Sequence, residues 1–219
     1  MHVGACHTRH NDFRFINYAL CILMPVLPLT LGASARNALV VPSGRKVVID
    51  GKILPGEWDG AGSIEVSIRP GWTVKVLFQH DATNLYFAFL GLRHGDEMRF
   101  PELLVDSRLT RSAKWQRGDL WLHSSFNLCE GDGKYNVYER NGVFRCSKEK
   151  EGWSANHFPL AENGVMEIQV SFAKLGLNPT NGKVLGFALD LTDTQENWTF
   201  WPTKAQLEHP STWGTLRLD

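Results

Sequence analysis

Most of this 219-residue chain lacks the 3.6-residue apolar period of amphipathic helices. It also lacks an excess of either charge, since its 23 basic and 23 acidic side chains cancel. That balance provides no counterion-release drive toward nucleic acid and no basic patch for an anionic lipid surface. Cysteine occurs only 4 times, without the partner histidine spacing of a structural zinc site. Internal repeats, low-complexity tracts and interdomain linkers are missing too. The length suits one domain, or two small ones.

One feature stands apart at the start. Arg9 and Arg14 precede an apolar run from Tyr18 to Leu31, and Ala33-Ser34-Ala35 has the small-x-small form that signal peptidase accepts. Pro25 and Pro28 interrupt the run, making it a poor membrane span and an acceptable signal core. Cys21 follows Leu20, which argues against a lipoprotein cleavage there. The expectation is a signal peptide over 1–35, a mature domain over 36–219 without a stable membrane span, and a secreted or periplasmic location; an uncleaved anchor is the alternative. Losing Arg9, Arg14 and Asp12 leaves the mature chain within one charge of neutrality. Only Cys129 and Cys146 then remain. In an oxidising compartment they read as one disulfide, with two independent buried thiols as the alternative. Asn197-Trp198-Thr199 is the single glycosylation sequon.

The mature segment reads as strands separated by turn clusters. Met166, Ile168, Val170 and Phe172 alternate with Glu167, Gln169 and Ser171, which predicts one dry and one wet face. Leu185, Phe187, Leu189 and Leu191 repeat the pattern, as do Val74, Val76 and Phe78. Leu85 to Leu92 is apolar on both faces and predicts a central strand. Turn signals stand at His80-Asp81-Ala82-Thr83-Asn84, Glu130-Gly131-Asp132-Gly133 and Asn141-Gly142. A single helical turn is expected at Ala173-Lys174-Leu175-Gly176-Leu177. Many strands without intervening helices predict an all-β, two-sheet antiparallel sandwich.

Two motifs bracket the domain. Val48-Ile49-Asp50-Gly51-Lys52-Ile53-Leu54-Pro55-Gly56-Glu57-Trp58 opens it, and His209-Pro210-Ser211-Thr212-Trp213-Gly214-Thr215-Leu216-Arg217-Leu218 closes it. Between them stand Val74-Lys75-Val76-Leu77-Phe78 with Asp81 and Leu85-Tyr86, then Glu102-Leu103-Leu104-Val105-Asp106, then Gly186-Phe187-Ala188-Leu189-Asp190-Leu191-Thr192-Asp193. In order and spacing this series resembles the family 9 carbohydrate-binding modules (CBM9), over about residues 46–219. The resemblance implies a β-sandwich that binds a saccharide or polysaccharide without cleaving it. In that family two tryptophans sandwich a sugar while strand side chains hold its hydroxyls.

Carried over by position, the resemblance puts Trp201 at the second sandwiching tryptophan and Glu102 at a hydroxyl-accepting glutamate. His123 falls near an arginine, and Asp190 at a ligand-facing glutamine. Asp96 and Glu97 occupy the stretch of the first tryptophan, so Phe100 or Trp115 is left to supply the other wall, and Arg99 replaces an acidic residue. The chemistry suits these residue types, because an aromatic face packs on pyranose C–H bonds while a buried polar group left unmatched by the wrong sugar is costly.

All eight tryptophans lie beyond residue 35. Trp58, Trp121 and Trp213 are expected in the core, whereas Trp198, Trp201 and an exposed Trp115 are candidate platforms. Several other readings compete. Glu102 and Asp190 as an acid and nucleophile would make a glycan hydrolase. Asp50, Glu57, Asp59, Asp81 and Asp193 offer oxygen ligands for structural calcium, which family members often carry. Met98 and Met166 raise a haem-binding sandwich, although Met166 is in phase with the apolar face of its strand. The same tryptophans would also serve a protein partner. The favoured reading is a non-catalytic sugar-binding domain, any glycan-degrading enzyme it serves being a separate chain.

Overall fold

The computed structural model describes residues 37–125, 127–132, 145–156, 164–178 and 182–219. The signal segment and the turns expected at Gly133 and Asn141-Gly142 lie outside these residues. In chain order the strands are β1 (Ala38–Val41), β2 (Gly62–Arg69), β3 (Trp72–His80), β4 (Asn84–Leu90), β5 (Arg93–His94), β6 (Glu97–Met98), β7 (Phe100–Asp106) and β8 (Asp119–Ser124). They continue as β9 (Leu128–Asp132), β10 (Arg145–Ser147), β11 (Trp153–Ala155), β12 (Val165–Ser171), β13 (Val184–Thr192), β14 (Phe200–Trp201) and β15 (Gly214–Leu218).

Two sheets stack as the alternation predicts. One runs β1-β15-β13-β7-β8-β9-β10 with β14 paired to β13, and the other runs β11-β12-β4-β3-β2. Pairing is antiparallel except for β1 against β15. The doubly apolar β4 lies between β12 and β3, as expected of a strand with both faces covered. Phe87 and Phe187 meet across the sandwich with centroids 5.4 Å apart and planes 6° from parallel. Leu103, Leu122, Ile168, Val74 and Val76 fill the space around them. Cys129 and Cys146 stand directly opposite on β9 and β10 and are joined by a disulfide. The stretch from Ala173 to Leu177 forms the single helical turn expected, closed by an i to i+4 bond from the Leu175 N–H to the Ser171 carbonyl.

The outer face of each sheet carries a second apolar layer, which strand alternation does not reveal. Over the five-stranded sheet, Val47, just before the opening motif, and Trp58 at its end cover Tyr86 and Ala88. This corrects the wet face expected of β12, because Glu167 is fully buried there. Glu167 accepts the backbone N–H groups of Asp50 (3.1 Å) and Gly51 (2.9 Å) through one oxygen and the Trp58 indole N–H (3.2 Å) through the other. Burial raises its pKa, and these donors partly offset that shift. Gly51 has φ +78°, and a Cβ there would lie 2.6 Å from Asn156 Nδ2. The Asp-Gly of the motif therefore needs glycine on both counts.

Removing this acceptor strands three donors under an apolar layer. Glu167→Ala should lower unfolding free energy by about 3–5 kcal/mol, the usual consequence of breaking a buried charged network. Urea denaturation followed by Trp58 fluorescence measures it, and a loss under about 1 kcal/mol would contradict this account.

Candidate functional site

The opposite outer face, on the larger sheet, gathers most of the sequence candidates. Register places Asp190 of β13 beside Glu102 of β7, and Glu102 beside His123 of β8. These three form one row across adjacent strands. Glu102 receives the Trp121 indole N–H at 2.9 Å on one oxygen and the His123 Nδ1–H at 2.7 Å on the other. Both oxygens are thus engaged, and the residue is only 2 % exposed. Asp190 is fully buried and accepts the Thr199 N–H at 2.8 Å through Oδ1. Its Oδ2 has no donor among the described residues. A proton resolves that. Burial, reinforced by the neighbouring charge of Glu102, pushes the Asp190 pKa up to about 9 despite the Thr199 and Leu191 N–H groups. Protonated Asp190 donates to Glu102, which remains the shared acceptor.

This geometry corrects the role expected of the two carboxylates. Neither is positioned to grip a hydroxyl, since both are buried and Glu102 is already doubly bonded. They hold other parts in place: Glu102 orients Trp121 and His123, and Asp190 fastens Thr199. His123 is the member of the row that reaches solvent, its side chain 18 % exposed. A glycosidase pair needs two carboxyl groups about 5–9.5 Å apart flanking an accessible bond. A buried pair sharing a proton does not meet that requirement.

A parallel row lies two steps along the same face, beyond the row of Ala188, Leu104 and Trp121. Asp106 of β7 faces Gly186 of β13 on one side and Asp119 of β8 on the other. A Cβ at Gly186 would lie 2.9 Å from Asp106 Cβ, so the small residue makes room for the carboxylate. Asp106 Oδ2 accepts the Arg111 N–H at 2.8 Å, and Asp119 Oδ2 accepts the Gln116 N–H at 2.7 Å. Both acids therefore fasten the loop of residues 107–118 to the sheet. Burial raises the Asp119 pKa to about 6; the Gln116 bond opposes this and the Asp106 charge adds to it.

Above these rows, loops 107–118 and 202–213 close over the sheet. Leu104, Trp121, Ala188, Ala205, Leu207 and Trp213 form a buried cluster, and Trp115 and Phe200 pack against it. The loops are joined by His209 Nδ1 to the Ala113 carbonyl (2.7 Å) and by Ser211 N–H to the Ser112 carbonyl (2.9 Å). Trp213 also donates its indole N–H to the Gln206 carbonyl at 2.9 Å. Trp58, Trp121 and Trp213 are buried, as expected. Trp115 is not the exposed platform expected of it, because it packs edge-on against Trp213 with centroids 5.3 Å apart.

Trp201 is the main correction. It sits opposite Leu189, and Phe200 sits opposite Asp190. Side chains alternate faces along a strand, so Trp201 turns toward the sandwich interior. It packs against the main core, with its ring 6.2 Å from Phe187. The aromatic on the carboxylate face is Phe200. Beside it Trp198 is 37 % exposed. A groove of about 230 Å³ runs between Trp198, Phe200, Ala205 and Leu207, with Gln206, Glu208 and His209 as its polar lining. Sequence reading missed Phe200, Leu207, Glu208 and His209 as site residues; the last three stand at or just before the start of the closing motif.

The groove rim is fixed from below. Arg99 donates to the Leu191 and Asn197 carbonyls at 3.3 and 2.7 Å. Asp193 accepts the Gln195 and Asn197 N–H groups at 2.8 and 3.0 Å. Asp81 is likewise spent on its own turn, accepting the Thr83 and Asn84 N–H groups at 2.7 Å each and the Tyr86 hydroxyl at 2.6 Å. Among the described residues no three His, Cys, Asp or Glu side chains gather around one metal-sized site. Met166 lies in the main core, and its sulfur accepts a hydrogen bond from the Ser124 hydroxyl.

No protein-family model matches the chain, and no curated protein matches it in sequence. Solved structures do match. A family 9 carbohydrate-binding module from Caldicellulosiruptor kristjanssonii in complex with cellotriose aligns with TM-score 0.57 at 17 % identity, covering 84 % of this chain and 94 % of that one. A CBM9 structure from the same organism in complex with glucose aligns with TM-score 0.55 at 18 % identity, covering 84 % and 96 %. The chain has a CBM9-like β-sandwich fold.

The shared proton has a consequence for stability. The folded protein keeps the Asp190 proton up to about pH 9, whereas the unfolded chain releases it near 3.8. Stability from this proton is complete below the lower value and disappears as pH rises through the higher one. The thermal midpoint should therefore fall between pH 6 and 9. Asp190→Asn, which keeps the acceptor for Thr199 and donates permanently to Glu102, should flatten that decline. Parallel declines in the two proteins would rule out the shared proton.

Proposed function

We propose that this protein is a non-catalytic carbohydrate-binding domain whose groove between Trp198 and Phe200 takes one pyranose ring. One observation carries the reading: an exposed tryptophan and a second aromatic wall a groove that also presents Gln206, Glu208 and His209. Aromatic faces match the C–H side of a sugar, and the polar side chains match its hydroxyls. At about 230 Å³ the groove is smaller than pockets for drug-sized ligands, roughly 300–1,000 Å³, and suits a single ring. The cellotriose and glucose bound to the fold's neighbours support the same ligand class.

The buried rows contribute by preorganisation. Thr199 is held by Asp190 and by its carbonyl bond to the Leu191 N–H at 3.0 Å, so Trp198 and Phe200 flank a fixed residue. His123, oriented by Glu102, extends the polar surface on the same face. Rigid walls spare binding part of its ordering entropy. The disulfide supports a location outside the reducing cytosol, where a separate glycan-degrading enzyme is the natural partner.

Titration calorimetry with glucose, cellotriose and other oligosaccharides tests the proposal. Trp198→Ala should weaken binding about tenfold, roughly 1.4 kcal/mol, without changing the unfolding midpoint. Trp201→Phe should leave affinity within about twofold, because that indole serves the core. Absence of heat with every saccharide would defeat the proposal. An affinity that follows Trp201 instead of Trp198 would move the site elsewhere.

A further inference from the structure

We infer that the groove prefers amino sugars over neutral ones, an inference that rests on the saccharide reading above. Its basis is the charge of the lining. Glu208 lines the groove, and its carboxylate is not held by a hydrogen bond among the described residues. The lining includes no lysine or arginine that would neutralise the carboxylate. His209 commits its Nδ1–H to the Ala113 carbonyl, so that donor is not offered to a ligand. Trp198 and Phe200 add two π faces, each of which attracts a cation.

An acceptor-rich, aromatic-walled groove is better matched by an ammonium than by a hydroxyl. A sugar hydroxyl would give the Glu208 carboxylate an ordinary hydrogen bond. The ammonium of a 2-amino-pyranose would do so with a charge-assisted bond, roughly twice as strong, and would also gain from the aromatic faces. N-acetylation removes both advantages while keeping the ring. The ligand class is therefore a free amino sugar, alone or as a residue of a partly deacetylated glycan.

The test compares glucosamine, N-acetylglucosamine and glucose by calorimetry on the full chain and on Glu208→Gln. Glucosamine should bind the native protein at least about fivefold tighter than either neutral sugar, the margin expected of a charge-assisted over a neutral hydrogen bond. Glu208→Gln should shrink that preference to within about twofold. Equal affinity for the three sugars would overturn the inference and leave the saccharide reading standing, as would a preference that survives Glu208→Gln. No binding of any sugar would overturn both. The three-sugar comparison on the native protein decides the preference even if the variant fails to fold.

Discussion

A carboxylate removed from water must find donors, and this fold depends on that demand at both of its outer faces. Glu167 on one sheet draws in Asp50, Gly51 and Trp58 of the opening segment. Glu102 and Asp190 on the other draw in Trp121, His123 and Thr199, and Asp106 with Asp119 draws in Arg111 and Gln116. A strand contributes the acid each time, and a covering segment contributes the N–H except at Glu102, whose donors Trp121 and His123 stand on the neighbouring strand β8. The sandwich core would close without these bonds, because Phe87, Phe187 and their neighbours are apolar on the inner faces. The loops and the opening segment would have no fixed seat on the outer faces.

That division explains what could be read from the residues in order. Strand positions followed from alternation, since apolar side chains at every second residue specify a buried face wherever they occur. The central place of β4 followed from its apolar residues on both sides. Alternation is silent about what lies above a polar position. Glu167 in Met166-Glu167-Ile168 looks like a solvated side chain until a distant segment is known to cover it. The opening motif was visible as a pattern, but its physical cause, an acceptor more than a hundred residues away, was not.

The candidate site was legible to a different degree at each residue. Glu102, His123 and Asp190 stand on three separate strands, and their adjacency is a matter of register that the CBM9 resemblance carried. Their burial was beyond it, because burial depends on the loops of residues 107–118 and 202–213. Phe200 and Trp201 show the limit most plainly. In a strand of two residues there is no run of alternation from which to phase the faces, and one step of register exchanges the ring in the core for the ring at the surface.

Burial of the sheet's acids also shifts where specificity is written. In a site built directly on strands, a change of ligand requires changes within paired strands, each constrained by two neighbours and a core. Here Glu102 and Asp190 are committed to holding Trp121, His123 and Thr199, and the groove is lined from residues 198–209. Ala205 and Leu207 are fixed by the buried cluster, whereas Trp198, Gln206, Glu208 and His209 lie outside it and can vary while the carboxylate rows keep the frame. A sheet surface with its acids sealed is a platform, and the loops seated on it decide what it binds.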